Sequence, residues 1–213
     1  MGGSWPVSRF IYLHGFASGP SSKKARFFQE RFAELGIGLE VPDLTQGNFS
    51  GLTLTGQLSV VERMAAGEAV SLIGSSMGGY LAALYAARHP EVQKLVLLAP
   101  AFSFLSRWPE TLGEEAMENW KRTGKLRIFN YAMVQEASLG YQLIEDAAQY
   151  EAYPEFGQRA LIFHGRKDTV VPPDYSVSFA ERHSNAELRL VESDHELVNV
   201  LDDLWMESEK FLF

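Results

Sequence analysis

Val70-Ser71-Leu72-Ile73-Gly74-Ser75-Ser76-Met77-Gly78-Gly79-Tyr80 is the stretch that decides the fold. A β-prone run from Ala69 to Ile73 enters it, and Tyr80-Leu81-Ala82-Ala83-Leu84-Tyr85-Ala86-Ala87 leaves it with strong helix formers as far as the His89-Pro90 stop. The pattern predicts strand, tight turn, helix. At its centre Gly74-x-Ser76-x-Gly78 fits the nucleophile-elbow pattern, a serine on a sharp strand-to-helix turn with its hydroxyl presented above the sheet. Small residues two before and two after the serine let strand and helix approach closely. An ordinary glycine-rich βα turn without chemistry fits the same residues, so the flanking chain has to separate the two.

Upstream, Arg9 to Leu13 reads as a short strand ending in the turn-rich His14-Gly15-Phe16-Ala17-Ser18-Gly19-Pro20. Ser22 to Leu35 reads as an amphipathic helix, with Phe27, Phe28, Phe32 and Leu35 on one side and Lys23, Lys24, Glu30, Arg31 and Glu34 mostly on the other. Ile37 to Val41 reads as a strand, Leu44 to Ser50 as a polar loop and Leu54 to Met64 as a helix. Downstream, Lys94 to Pro100 is an apolar run of the kind buried on both faces of a parallel sheet. From Phe102 to Tyr153 the alternation lapses into an aromatic-rich segment with helical patches at Glu114 to Lys121 and Tyr141 to Tyr150. Such an insertion after a sheet strand reads either as a helical cap over a site or as further core-packed helices. Alternation then resumes: a strand at Arg159 to His164, a helix at Pro172 to Arg182, a strand at Glu187 to Val191, and a closing helix at Glu196 to Phe213. About six strands separated by helices predict one α/β domain over residues 1–213, a mostly parallel sheet covered on both faces, with residues 102–153 as a cap insertion.

Composition narrows the function. A chain of 213 residues with 46% hydrophobic and 22% charged residues suits one soluble globular domain, and its apolar runs are too short to span a bilayer. A net charge of −8 without a basic stripe argues against nucleic acid or an anionic membrane as partner. Zero cysteines exclude a thiol nucleophile and disulfides and are compatible with a reducing cytoplasm. Met1 to Pro6 shows no targeting pattern and reads as a disordered start. Five scattered histidines lack metal-ligand spacing, and the Gly74 to Gly79 cluster lacks dinucleotide register, so neither a metal nor another cofactor is expected.

Functional residues of such sheets gather at the carboxyl ends of strands. Ser76 follows one strand, Asp168 another, in His164-Gly165-Arg166-Lys167-Asp168-Thr169-Val170-Val171-Pro172, and His195 a third, in Ser193-Asp194-His195. Serine needs an imidazole to take its proton and return it to a leaving group. The imidazole needs a carboxylate to hold its tautomer and steady its cation. The tetrahedral oxyanion needs preorganised N–H donors, for which Phe16 and Met77 are the candidates. Ser75 and Asp194 are rivals for two roles. Only Ser76 has glycines at both flanking positions, and Asp194 adjoins His195 too closely in sequence to face it. His14 and His164 read as structural groups near the site, His89 and His183 as solvated.

Together with Tyr12-Leu13-His14-Gly15-Phe16-Ala17-Ser18-Gly19-Pro20-Ser21-Ser22-Lys23-Lys24-Ala25, these motifs resemble the α/β-hydrolase superfamily over nearly the whole chain. The opening motif is similar to small bacterial esterases and to the palmitoyl-protein thioesterase and acyl-glucuronide esterase branch. The resemblance implies an α/β-hydrolase fold and cleavage of a small-molecule ester or thioester by a serine hydrolase. It implies Ser76 as nucleophile, Asp168 as orienting acid, His195 as base, and Phe16 and Met77 as oxyanion donors. Phe16, Met77 and Phe102 would line an apolar substrate pocket. Room for only one strand before the His14 loop implies that the antiparallel first strands of larger relatives are missing. A serine peptidase with the same triad and a catalytically silent binding module remain open on sequence alone.

Overall fold

The computed structural model describes residues 9–213; the expected disordered start at Met1 to Pro6 lies outside them. In chain order these residues form β1 (Arg9–Leu13), α1 (Lys23–Glu34), β2 (Leu39–Glu40), α2 (Leu54–Ala65), β3 (Val70–Ser75) and α3 (Met77–Ala86). β4 (Val92–Leu98), α4 (Phe104–Leu112), α5 (Glu114–Thr123), β5 (Lys125–Asn130), β6 (Gln135–Gly140) and α6 (Gln142–Ala147) follow. β7 (Arg159–Gly165), α7 (Asp174–Arg182), β8 (Ala186–Val191) and α8 (Leu201–Leu212) complete the chain. Single 3₁₀ turns lie at Phe49–Gly51 and Val198–Val200.

Strand side chains alternate between two cores. Phe10, Tyr12, Ile73, Val96, Leu98, Leu161 and Phe163 pack under α1 and α8 with Phe28, Phe32 and Trp205. Ile11, Leu13, Leu72, Leu95, Leu97 and Ile162 pack on the other face, with α2, α3 and α7. This two-sided burial explains why the central strands read as continuous apolar runs. All ten residues of α3 are buried, which its small alanines and glycines permit.

The six-stranded sheet has the order β2-β1-β3-β4-β7-β8, and every pair in it is parallel. The chain runs outward from β1 to β2 on one side and from β3 to β4 on the other. A topological switch point therefore lies between the carboxyl ends of β1 and β3, where such sheets open a crevice for ligands.

Three expectations are corrected. The predicted Ile37–Val41 strand shrinks to Leu39–Glu40, a two-residue edge pairing. The closing helix starts at Leu201 rather than Glu196, because Asp194 takes the Glu196 N–H and Leu197 adopts a left-handed conformation with φ 56°. The insertion is not purely helical. Its middle is the antiparallel hairpin β5–β6, which the buried Trp120 of α5 holds by donating from its indole N–H to the Leu139 carbonyl at 3.1 Å. Among the described residues no helix is long and apolar enough to cross a membrane.

Candidate active site

Ser76 stands between β3 and α3 with φ 53° and ψ −117°, a conformation that costs a non-glycine residue free energy and persists only where its surroundings enforce it. Backbone bonds on both sides do so. The Ser76 N–H donates to the Leu98 carbonyl at 2.8 Å, and the Ala101 N–H donates to the Ser76 carbonyl at 3.0 Å. The glycines supply the rest. A Cβ on Gly74 would stand 2.3 Å from the Gly78 oxygen, and one on Gly78 would stand 2.1 Å from the Leu13 oxygen and 2.6 Å from that of His14. Strand, helix and the end of β1 thus meet backbone to backbone.

The same device joins the other two strand ends. A Cβ on Gly165 would lie 2.4 Å from the carbonyl oxygens of Ser193 and Asp194. The Arg166 N–H donates to Val191 and the Lys167 N–H to Ser193, each at 2.9 Å, lacing the Asp168 loop to the His195 loop. From the far side Lys24 of α1 reaches in and donates from Nζ to the Glu196 carbonyl at 2.8 Å. The Asp194 carboxylate turns back to accept from the Glu196 N–H at 3.0 Å. It caps its own turn rather than serving His195.

The three polar residues come together. His195 Nε2 is 3.0 Å from Ser76 Oγ, and His195 Nδ1 is 2.7 Å from Asp168 Oδ2. A carboxylate only accepts, so Nδ1 carries the hydrogen and Nε2 offers its lone pair to the serine hydroxyl. Asp168 has no exposed side-chain surface, and its Oδ1 accepts the N–H groups of Val170 at 2.9 Å and Val171 at 2.8 Å. Burial alone would raise its pKa. Donation from His164 and then His195, the charge of His195 and the Val171 N–H outweigh burial and hold the carboxyl well below the usual carboxylate range. Asp168 is therefore an anion at neutral pH.

Phe16 N–H, in the loop after β1, and Met77 N–H, at the start of α3, have no acceptor among the described residues. An oxyanion requires backbone donors of this free kind. His14 fixes the Phe16 loop: its Nδ1 lies 3.0 Å from the Gly15 carbonyl, and its Nε2 accepts the Leu44 N–H at 3.1 Å. Burial pushes the His14 pKa down, which suits this neutral, two-sided role. The Phe16 ring lies against Phe49, with centroids 5.8 Å apart, and edge-on to Trp108 of α4 at 5.6 Å. Arg107, beside Trp108, donates to the Val170 carbonyl at 2.9 Å, and the Tyr131 N–H of the hairpin turn donates to the Ala17 carbonyl at 2.8 Å. The insertion thus touches both the Phe16 loop and the Asp168 loop.

Residues 9–210 match the family described as Uncharacterised protein family (UPF0227). The chain belongs to that family. No protein of curated function matches it in sequence. Among solved structures, the ferulic acid complex of Est1E from Butyrivibrio proteoclasticus superimposes with a TM-score of 0.82 at 22% identity, covering 96% of this chain and 88% of that one. The mouse alpha/beta hydrolase domain-containing protein 10 gives 0.82 at 21% identity over 100% and 91%. The monoacylglycerol lipase of Paleococcus ferrophilus gives 0.74 at 16% identity over 95% and 93%. This UPF0227 chain has the α/β-hydrolase fold.

Not every expected site residue faces the crevice. The Met77 side chain is 1% exposed and belongs to the core, so only its backbone N–H points to chemistry. Phe102 is fully buried, its ring stacked on Phe179 at 4.4 Å, and it supports the site from within rather than lining an open pocket. Phe16 and Trp108 are the partly exposed aromatics beside the elbow. His183 is buried against Phe179 and pairs with Glu155 rather than standing in solvent, while His89 is half-buried against Tyr85 between Glu62 and Glu91. Lys24, placed by periodicity on the polar side of α1, is buried. A cavity of about 740 Å³ lies elsewhere, between α5 and the β5–β6 hairpin. Sequence reasoning also missed the His164 contact to Asp168, for which the only signal was their spacing of four residues across a turn.

Proposed function

We propose that this chain is a serine hydrolase that cleaves carboxylic esters or thioesters of small molecules through an acyl-enzyme. One observation carries the reading: Ser76, His195 and Asp168 stand in one hydrogen-bonded line beside two free backbone N–H groups. Ser76 Oγ attacks the carbonyl carbon while His195 Nε2 takes its proton, and the Asp168 carboxylate steadies the imidazolium. The oxyanion accepts the Phe16 and Met77 N–H groups, a contact whose loss costs other enzymes about 10²- to 10³-fold in kcat per donor. His195 then gives its proton to the departing alcohol or thiol, and water repeats the sequence to release the acid. Residues 102–153 act as a cap on a single domain, with Trp108 and Phe16 forming an apolar wall for the acyl group. The ferulic acid bound to Est1E and the lipase of Paleococcus ferrophilus support an ester substrate. A cysteine-free chain suits a reducing cytoplasm.

The test is hydrolysis of p-nitrophenyl and acyl-CoA esters of increasing chain length, with Ser76→Ala as blank. Turnover that vanishes in the variant is expected, and the chain-length optimum reports the depth of the acyl pocket. Fluorophosphonate labelling of Ser76 without turnover of any ester would move the reading to a peptidase. Neither labelling nor turnover would leave a silent binding module.

A further inference from the structure

Asp168 serves two histidines, and only one of them is in the line to Ser76. His164 Nε2, at the end of β7, stands 3.1 Å from the same Oδ2 that faces His195 and 2.8 Å from the Val171 carbonyl oxygen. Both of those oxygens can only accept, so Nε2 must carry a hydrogen. In the neutral ring Nδ1 then holds a lone pair, and 2.7 Å from it lies Ser176 Oγ of α7. His164 and Ser176 are both fully buried, so the serine hydroxyl has no water to turn to and its hydrogen points at Nδ1. Donation converges on Asp168 from both ends: Ser176 to His164 to Asp168 on one side, Ser76 to His195 to Asp168 on the other.

We propose that His164 and Ser176 are positioning residues for the hydrolysis, extending the line of three into a line of five whose inner members, Asp168, His164 and Ser176, are buried. The inference rests on the proposed serine hydrolase function. Asp168 accepts four N–H groups from the protein, those of Val170, Val171, His164 and His195. The His164 donation does two things. It fills the side of Oδ2 that would otherwise be bare and buried, which stops the carboxylate from rotating off His195. It also spreads the carboxylate charge, so that Asp168 orients the imidazole without over-stabilising its protonated form. Other charges near this pair are Lys24 of α1, Asp194 and Glu196 beside His195, and Arg107 of α4. A His164 substitution leaves all of them in place.

The reporter is the rate of fluorophosphonate labelling of Ser76 as a function of pH, which needs no knowledge of the natural substrate. In folded His164→Phe the labelling rate at neutral pH should fall on the order of ten-fold, the scale of one hydrogen bond to a charged group. The acid limb of the profile should move to higher pH, because a carboxylate with one donor fewer holds the His195 imidazolium more strongly. His164→Gln, whose amide N–H can replace Nε2–H, should restore both. A merely structural His164 would lower the melting temperature without moving the limb. An unmoved limb in folded His164→Phe, with wild type labelling normally, overturns the inference and leaves the hydrolase reading standing. Wild type that does not label overturns the hydrolase reading itself. Should His164→Phe not fold, ¹⁵N NMR of wild type still decides: His164 protonated on Nε2 and bare on Nδ1 is expected, and the opposite tautomer refutes the line.

Discussion

Gly78→Ala is the sharpest perturbation of this architecture because two opposite effects compete at one atom. Gly78 is the second residue of α3, and in an unconstrained helix an alanine there would stabilise by about 1 kcal/mol. The new Cβ, however, would lie 2.1 Å from the Leu13 oxygen and 2.5 Å from its carbon. Ordinary C···O approach is roughly 3.3 Å, so about 1 Å of displacement is needed. No side chain can swing aside to provide it, since the atoms met are β1 backbone and Leu13 is in register with Gly74 of β3. Overpacking of this kind costs about 1–3 kcal/mol, which exceeds the helix gain. The displacement also separates Met77 N–H from Phe16 N–H, and losing one oxyanion donor costs about 10²- to 10³-fold in rate. Urea unfolding and ester hydrolysis or fluorophosphonate labelling read the two effects side by side. The expected result is a lowered unfolding midpoint and a rate reduced about a hundredfold. Gly157→Ala is the control, because nothing lies within 4 Å of its added Cβ. A Gly78→Ala protein as stable and as fast as wild type would refute both the packing argument and the placement of the oxyanion donors.

Asp168→Asn should reduce the labelling rate about 10⁴-fold while the protein stays folded. With Oδ1 kept on the Val170 and Val171 N–H groups, the new amide N–H₂ faces two donors and drives His195 to the wrong tautomer. Acid should destabilise wild type more than this variant. The Asp168 pKa is depressed in the folded state, so its stabilising contribution is full above the unfolded value of about 3.9 and is lost as pH falls through the folded one. Urea midpoints of the two proteins should keep a constant gap down to about pH 4 and converge only below it, as pH falls from the unfolded value toward the depressed folded one. Lys24→Met removes the Nζ donation to the Glu196 carbonyl but keeps the buried stem. It should slow labelling on the order of ten-fold and speed proteolytic cleavage near residue 196, with little change in melting temperature.

Local chemistry explains what could be read from the sequence. Residues whose identity is dictated by backbone approach were legible: Gly74, Gly78 and the serine between them, and the runs buried on both faces of the sheet. The amphipathic helix from Ser22 was legible too, and Ser22 Oγ caps it by accepting the Ala25 N–H at 3.3 Å. What escaped depends on partners distant in sequence. Lys24 looks like a solvated lysine by helical period, yet its acceptor is the carbonyl of residue 196. His183 lies at the end of a polar helix, yet Phe179 and Glu155 enclose it. The β5–β6 hairpin was hidden because Leu126, Ile128 and Leu139 alternate too sparsely with charged residues to announce strands without the Trp120 platform. Phe102 reads as a pocket residue on composition, and composition does not say which way a ring points.

The placement of Ser76, Asp168 and His195 follows from sheet register more than from their side chains. Leu13 pairs with Gly74, Ser75 with Leu98, Leu98 with Phe163, and Gly165 with Val191, so four parallel strands and β8 end at one level. Just past that level the chain must turn, and each turn is pinned to its neighbour by a glycine without room for a Cβ or by a backbone hydrogen bond. Ser76 is pinned to Leu98, Asp168's loop to Val191 and Ser193, and Phe16's loop to the start of α3. Side chains at such positions inherit their separations from hydrogen-bond spacing in the sheet, which is why three residues far apart in sequence meet within 3.0 Å contacts. The insertion meets this frame at the Phe16 and Asp168 loops through Arg107, Trp108 and the hairpin turn, and it also packs on the surrounding helices, where Asp146 accepts from Thr55 of α2, the Glu151 carbonyl accepts from Tyr80 of α3, and Phe102 stacks on Phe179 of α7. Under the proposed function, chemistry would reside at these pinned turns, and selectivity for the acyl group would fall to Phe16 and Trp108, where the insertion meets the loop after β1.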